Sequence, residues 1–144
     1  IVRDGYFYTV NCKPGVKEYL RYLAKKGVSM CVASASEKTH IEAALRREEI
    51  YAFFTRIFTC AGIGKNKDDP DFFRQVAASL DLPPRQLVVY EDAYHAMTCA
   101  KTAGCQVVGV YDTDALTDLP QIVKTCDVYV KNLACLIPLT EREK

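Results

Sequence analysis

Glu91 and Asp92 close the run Leu87-Val-Val-Tyr-Glu-Asp92, and helix-forming residues follow from Tyr94. The aliphatic and aromatic residues before them spell a buried strand. Two carboxylates therefore fall at the C-terminal end of a strand, where open α/β sheets bind their ligands. With no basic residue beside them in sequence, the pair suits a hard, oxygen-seeking cation such as Mg2+. The competing explanation is N-capping of the following helix, but a cap needs only one acid. A second polar strand end is Ser34-Ala35-Ser36, directly after the apolar run Val28–Ala33. A hydroxyl and backbone N–H groups at a helix start suit a phosphate, although serine at such a junction is also a common cap. A third is Lys67, in Gly64-Lys-Asn-Lys-Asp-Asp-Pro-Asp71, which could neutralise a phosphate and the acid bonded to it. Lys65 competes for that role, and a solvated lysine in a charged loop is the plain alternative.

Other polar residues have simpler expectations. His40 lies in a helix among charged residues and His95 in the first turn after the acids, and both read as surface histidines. Asp112 and Asp114 flank Thr113 after a strand, and turn formation explains them. Tyr6, Phe7 and Tyr8 read as packing.

Elements that would position these groups follow from periodicity. Val16, Tyr19, Leu20 and Leu23 share a helical face over residues 16–26, which Gly27 closes. Helices are also expected over 37–50, 71–80 with Pro70 at its start, 94–103 closed by Gly104, and 115–125. Strands are expected over 28–33, 56–60, 87–90, 106–111 and 127–130, a Gly62/Gly64 loop after the second, and a helical turn over 133–136. This alternation argues for a doubly wound α/β domain with a parallel sheet. Residues 1–12 form an extended segment of different character, and 13–144 form the α/β core.

At 144 residues the chain can bury one proper core. A net charge of +1 gives no general pull toward nucleic acid or a membrane. No apolar run approaches the roughly 20 residues that span a bilayer, and no leader is visible. Seven cysteines, an odd number without a CxxC pair, read as small buried thiols in a reducing compartment, and the expectation is a cytoplasmic protein. Oligomeric state is left open.

In combination these pieces resemble the haloacid dehalogenase superfamily of phosphatases and phosphomutases, in particular its β-phosphoglucomutase-like branch. The resemblance rests on Lys13-Pro-Gly-Val-Lys-Glu-Tyr-Leu20 with Lys26-Gly27, Val32-Ala-Ser-Ala-Ser36, Lys67-Asp-Asp-Pro-Asp-Phe72, Val88-Val-Tyr-Glu-Asp92, and Ala100-Lys-Thr-Ala-Gly104 ahead of Val107-Val-Gly-Val110. It implies that Ser34 and the Ala35 backbone bind the transferring phosphoryl group. Lys67 would balance its charge, Asp92 would ligate Mg2+, and Glu91 would serve as a ligand or as a partner behind one. The substrate implied is a small phosphorylated metabolite such as a sugar phosphate.

The sequence departs from that family in one large respect. The nucleophile is an Asp in a strand-end DxDG(T/V) motif, and no such motif occurs here. The nearest text is Val2-Arg-Asp-Gly-Tyr6, with Val2 in the nucleophile's place, and eight residues separate Gly5 from Pro14. Ala93 and Ala96 replace a frequent Ser and Gly, and Asp68 follows Lys67 where Pro is usual. The expectation is a fragment of a Mg2+-dependent phosphatase or phosphomutase, without its first strand and cap, inactive in isolation. Two alternatives stand beside it. One is a non-catalytic phosphate- or partner-binding module. The other is a receiver-type signalling domain, disfavoured because its acids precede the lysine.

Overall fold

The computed structural model describes residues 11–142. The extended segment expected over residues 1–12, including Asp4 and the Tyr6–Tyr8 cluster, therefore lies almost wholly outside the described residues. Two compact units make up the chain, one from residues 1–59 with 132–144 and the other from 60–131.

In the first unit, α1 (Val16–Lys25) leads to β1 (Cys31–Ser34), α2 (Lys38–Arg47) and β2 (Arg56–Thr59). β1 and β2 pair in parallel, Cys31 opposite Arg56 and Ser34 opposite Thr59. α1 starts after Gly15, whose φ of 78° is open to glycine. It buries Tyr19 and Leu20 and packs on the one-turn 3-10 helix Leu133–Leu136. Asn132 caps that turn by accepting from the Ala134 N–H at 2.9 Å. Strand β1 begins three residues later than the sequence suggests. Gly27 and Val28 still belong to the end of α1, because the Val28 N–H reaches back to the Leu23 carbonyl.

In the second unit, α3 (Cys60–Ile63) and α4 (Pro70–Ser79) precede β3 (Val88–Glu91), α5 (Tyr94–Ala103), β4 (Gln106–Val110), α6 (Leu119–Thr125) and β5 (Val128–Val130). The strands form a parallel sheet in the order β3-β4-β5. The expected Gly62/Gly64 loop is instead the single turn α3, closed by the Gly64 N–H on the Cys60 carbonyl. The helix expected over 115–125 is a 3-10 stretch, Thr113–Asp118, followed by α6. Asp112 caps it by accepting from the Asp114 N–H, the turn role expected of that pair.

The core of this unit lies between α4, α5 and the sheet. Phe72 and Phe73 meet edge to face with centroids 5.2 Å apart. Met97, Ala100 and Val107 are fully buried. Ala96, Ala100 and Ala103 recur at helical spacing, so α5 presents small side chains along one buried face. That face packs on β3 and β4 and fixes the turn between β3 and α5.

All seven cysteines are free. Cys60 and Cys105 are buried as expected, but Cys135 is exposed. Burial pushes the Cys31 and Cys105 thiols up, which keeps them protonated and unreactive. No helix among the described residues is long and apolar enough to cross a membrane.

Candidate active site

Glu91 is the last residue of β3 and the one charged side chain among the buried described residues, 8% exposed. Its register partner on β4 is Gly109, which puts it in line with the buried row of the sheet. A buried carboxylate requires partners, and Glu91 has three. Oε2 accepts a charged hydrogen bond from Lys67 Nζ. Oε1 accepts from the Asp92 N–H at 3.0 Å and the Ala93 N–H at 3.2 Å. Burial alone would raise the Glu91 pKa, but the charge and hydrogen bond of Lys67, with the bonds at Asp92 and Ala93, outweigh it and hold the carboxyl below its usual range. Glu91 is therefore an anion that fastens two things at once: the lysine loop, and the backbone turn leading into α5.

Lys67 reaches Glu91 because the loop before α4 is anchored at its far end. Asp69 is the N-cap of α4, accepting from the Asp71 N–H at 2.9 Å, and Pro70 fills the first helical position. Lys65, the rival lysine, is occupied there: it lies 3.2 Å from Asp69 and 4.0 Å from Asp71. The two lysines are thus sorted by their acids. The Asp69-Pro70-Asp71 capping pattern, four residues after Lys65, is the sequence signal that separates them.

Asp92 follows Glu91 immediately and is half-buried at the entrance to α5, whose N-cap, Ala93, offers no side-chain cap. The Asp92 carboxylate offers hard oxygen atoms at the strand end, the donor type that Mg2+ takes, commonly one or two at a time with water filling its sphere. Among the described residues no group of three His, Cys, Asp or Glu side chains stands ready to hold a metal. The described residues thus offer at most part of a cation's ligand set.

Ser34 ends β1 in the other unit, half-buried. Its Oγ accepts from the Ser36 N–H at 3.1 Å, a local turn that shapes the Ser34-Ala35-Ser36 loop before α2. The N-cap of α2 is Glu37, which makes no side-chain cap bond. His95 is exposed, as expected of it, whereas His40 is half-buried with Nε2 3.8 Å from Glu37.

Comparison with known proteins agrees with this architecture. The family described as haloacid dehalogenase-like hydrolase matches residues 3–110, and the chain belongs to that family. A β-phosphoglucomutase from Bacillus subtilis is 34% identical over 97 residues, covering 67% of this chain and 42% of the relative. A phosphorylated carbohydrates phosphatase from Thermotoga maritima is 27% identical over 93 residues, covering 65% of this chain and 43% of the relative. The crystal structure of a β-phosphoglucomutase from Clostridium difficile superposes with a TM-score of 0.70 at 23% identity, covering 87% of this chain and 52% of that one, a likeness of fold. Within the family the chain sides with the β-phosphoglucomutase-like branch. It spans less than half the length of the two curated relatives named here.

Proposed function

We propose that this chain is the phosphate-gripping and metal-binding part of a Mg2+-dependent phosphatase or phosphomutase for a small phosphorylated metabolite, a sugar phosphate in the first instance. One observation carries the reading: a lysine loop is drawn by a buried carboxylate to the C-terminal end of a parallel strand, beside a second, half-buried carboxylate. A purely structural pair would not need Asp92, and a cap would not need Lys67. The names of the relatives, a sugar-phosphate mutase and a carbohydrate phosphatase, favour the substrate class.

In this reading Lys67 offsets the charge of phosphoryl oxygens beside Asp92, and Ser34 with the Ala35 backbone keeps the phosphoryl-binding role that the resemblance implies. Asp92 holds the cation, with Glu91 behind it fixing Lys67 and the turn. Mg2+, when bound, supplies Lewis-acid charge at the phosphoryl group. No DxDG(T/V) motif occurs in these 144 residues, so the chain contributes the grip and not the attacking carboxylate.

The test has two arms. Calorimetry should detect binding of inorganic phosphate only in the presence of Mg2+, lost in Asp92→Asn and Lys67→Ala. Hydrolysis of an aryl phosphate by the same chain should stay at background. Phosphate binding indifferent to both substitutions would sink the assignment, and robust Asp92-dependent turnover would show that a nucleophile has been overlooked.

A further inference from the structure

Lys67 stands in a β-turn that neither glycine nor proline shapes. The Asp69 N–H closes the turn on the Asn66 carbonyl at 3.0 Å, which makes Lys67 and Asp68 its two central residues. Proline would pre-set such a backbone and glycine would relieve it, so the hold on this turn comes from its neighbours. That hold converges on Asp69. Its N–H closes the turn, its Oδ1 accepts the Asp71 N–H at 2.9 Å, and its Oδ2 lies 3.2 Å from Lys65 Nζ. The ion pair is the weaker tie, since its partners are 39% and 38% exposed. The cap joins the end of the turn to the first turn of α4 and is the stronger one.

A lysine stem is flexible and keeps one position only where both of its ends are fixed. Glu91 fixes the ammonium, and the turn fixes the backbone. We propose that Asp69 is a positioning residue for Lys67: by capping α4 it fixes the turn from which the lysine reaches Glu91. Without the cap the lysine leaves Glu91 more often and meets a phosphoryl group from a less ordered loop. The consequence for phosphate rests on the function proposed above; the placement of the lysine does not.

Amine labelling of the 144-residue chain, read at Lys67 by peptide mass, tests the placement. Asp69→Ala should raise the labelling rate of Lys67 about fivefold, the factor to which a typical lost cap corresponds. Asp69→Asn keeps a capping oxygen and should bring the rate to within about twofold of the parent, and Lys65→Ala should stay in that range as well. Ala78→Gly weakens α4 at an exposed position near its other end by a similar amount, so it reads what a loss of helix stability does by itself. It too should leave Lys67 within about twofold. The proposal is overturned if Asp69→Ala leaves Lys67 as protected as in the parent, or if Asp69→Asn labels as fast as Asp69→Ala. It is overturned equally if Lys65→Ala or Ala78→Gly raises the rate as much as Asp69→Ala does.

Calorimetry with inorganic phosphate on the same variants reads the consequence. Affinity should fall about fivefold in Asp69→Ala and recover in Asp69→Asn. A parent chain that binds phosphate and an Asp69→Ala variant that binds it equally well would overturn the proposal. If the parent itself binds no phosphate, the function proposed above fails, and the labelling pattern still decides whether Asp69 places the lysine.

Discussion

At the residue scale, Glu91 decides the character of the site. A carboxylate with 8% exposure cannot stand alone, and three donors surround it. Removing the lysine leaves the acid buried and uncompensated, at a cost of about 3–5 kcal/mol for a fully buried pair and toward the lower end here, since Lys67 keeps 20% of its surface. Replacing both residues removes the stranded charge, so Lys67→Met with Glu91→Gln should be more stable than Lys67→Met alone. Urea midpoints of the two variants check this; the reverse order would mean that the lysine does not stabilise the acid. The acid pair and Lys67 were legible in the sequence because each breaks an otherwise apolar or turn-forming context. Which of the two acids is buried was not, because that depends on which face of the strand meets the core.

At the element scale, a few backbone positions hold the parts in place. A Cβ on Gly15 would meet Asn132 Oδ1 at 2.0 Å and the Ala134 N at 2.4 Å, on a backbone with φ of 78°. Gly27 has a similar φ but nothing within 4 Å. Gly15→Ala should therefore cost well over the roughly 1–2 kcal/mol of a left-handed alanine, and Gly27→Ala no more than that. Thermal melts of the two variants separate steric from conformational strain, and equal losses would refute the distinction. Asp127 joins β5 to its neighbours, accepting from the Val107 N–H at 2.7 Å and from Lys101 Nζ at 2.8 Å. The Lys101 bond, then the Val107 bond, hold its pKa below the usual value. Its stabilisation is present above the unfolded-state pKa and is lost as pH falls through the lower folded-state value. The stability gap between the parent and Asp127→Asn should thus narrow on acidification below about pH 4. A gap in urea midpoint that stays constant down to pH 2 would show that Asp127 does not titrate with folding. The helix and strand order came directly from periodicity, while the boundaries moved where chain reversal won over propensity. Val28 looks like strand but finishes α1, and Cys60, which looks like the end of a strand, joins the expected Gly62/Gly64 loop in a turn closed on Gly64.

For the whole molecule, periodicity could not reveal which strands pair, since pairing is non-local. Among the described residues the strands form two separate parallel sheets, β1-β2 and β3-β4-β5. Parallel sheets ordinarily have both faces covered, and the three-stranded one shows an exception. Its register puts Val88, Tyr90, Gln106, Val108, Val110, Val128 and Val130 on one face. Val108, Val110 and Val130 are buried, whereas Val88, Tyr90 and Val128 are 44%, 39% and 45% exposed. The face is thus covered on the central strand β4 and at the end of β5, and exposed on β3 and at the start of β5. A largely apolar sheet face that carries no charged side chain among the described residues invites association. Val88→Lys with Val128→Lys should lower light scattering of concentrated chain, because both side chains already meet solvent and a lysine stem can lie along the same surface. The cost in stability should stay below about 1 kcal/mol, as for other surface changes. Scattering unchanged by the pair of lysines would mean that this face takes no part in association. A large loss of stability would mean that these valines are more enclosed than their exposure states.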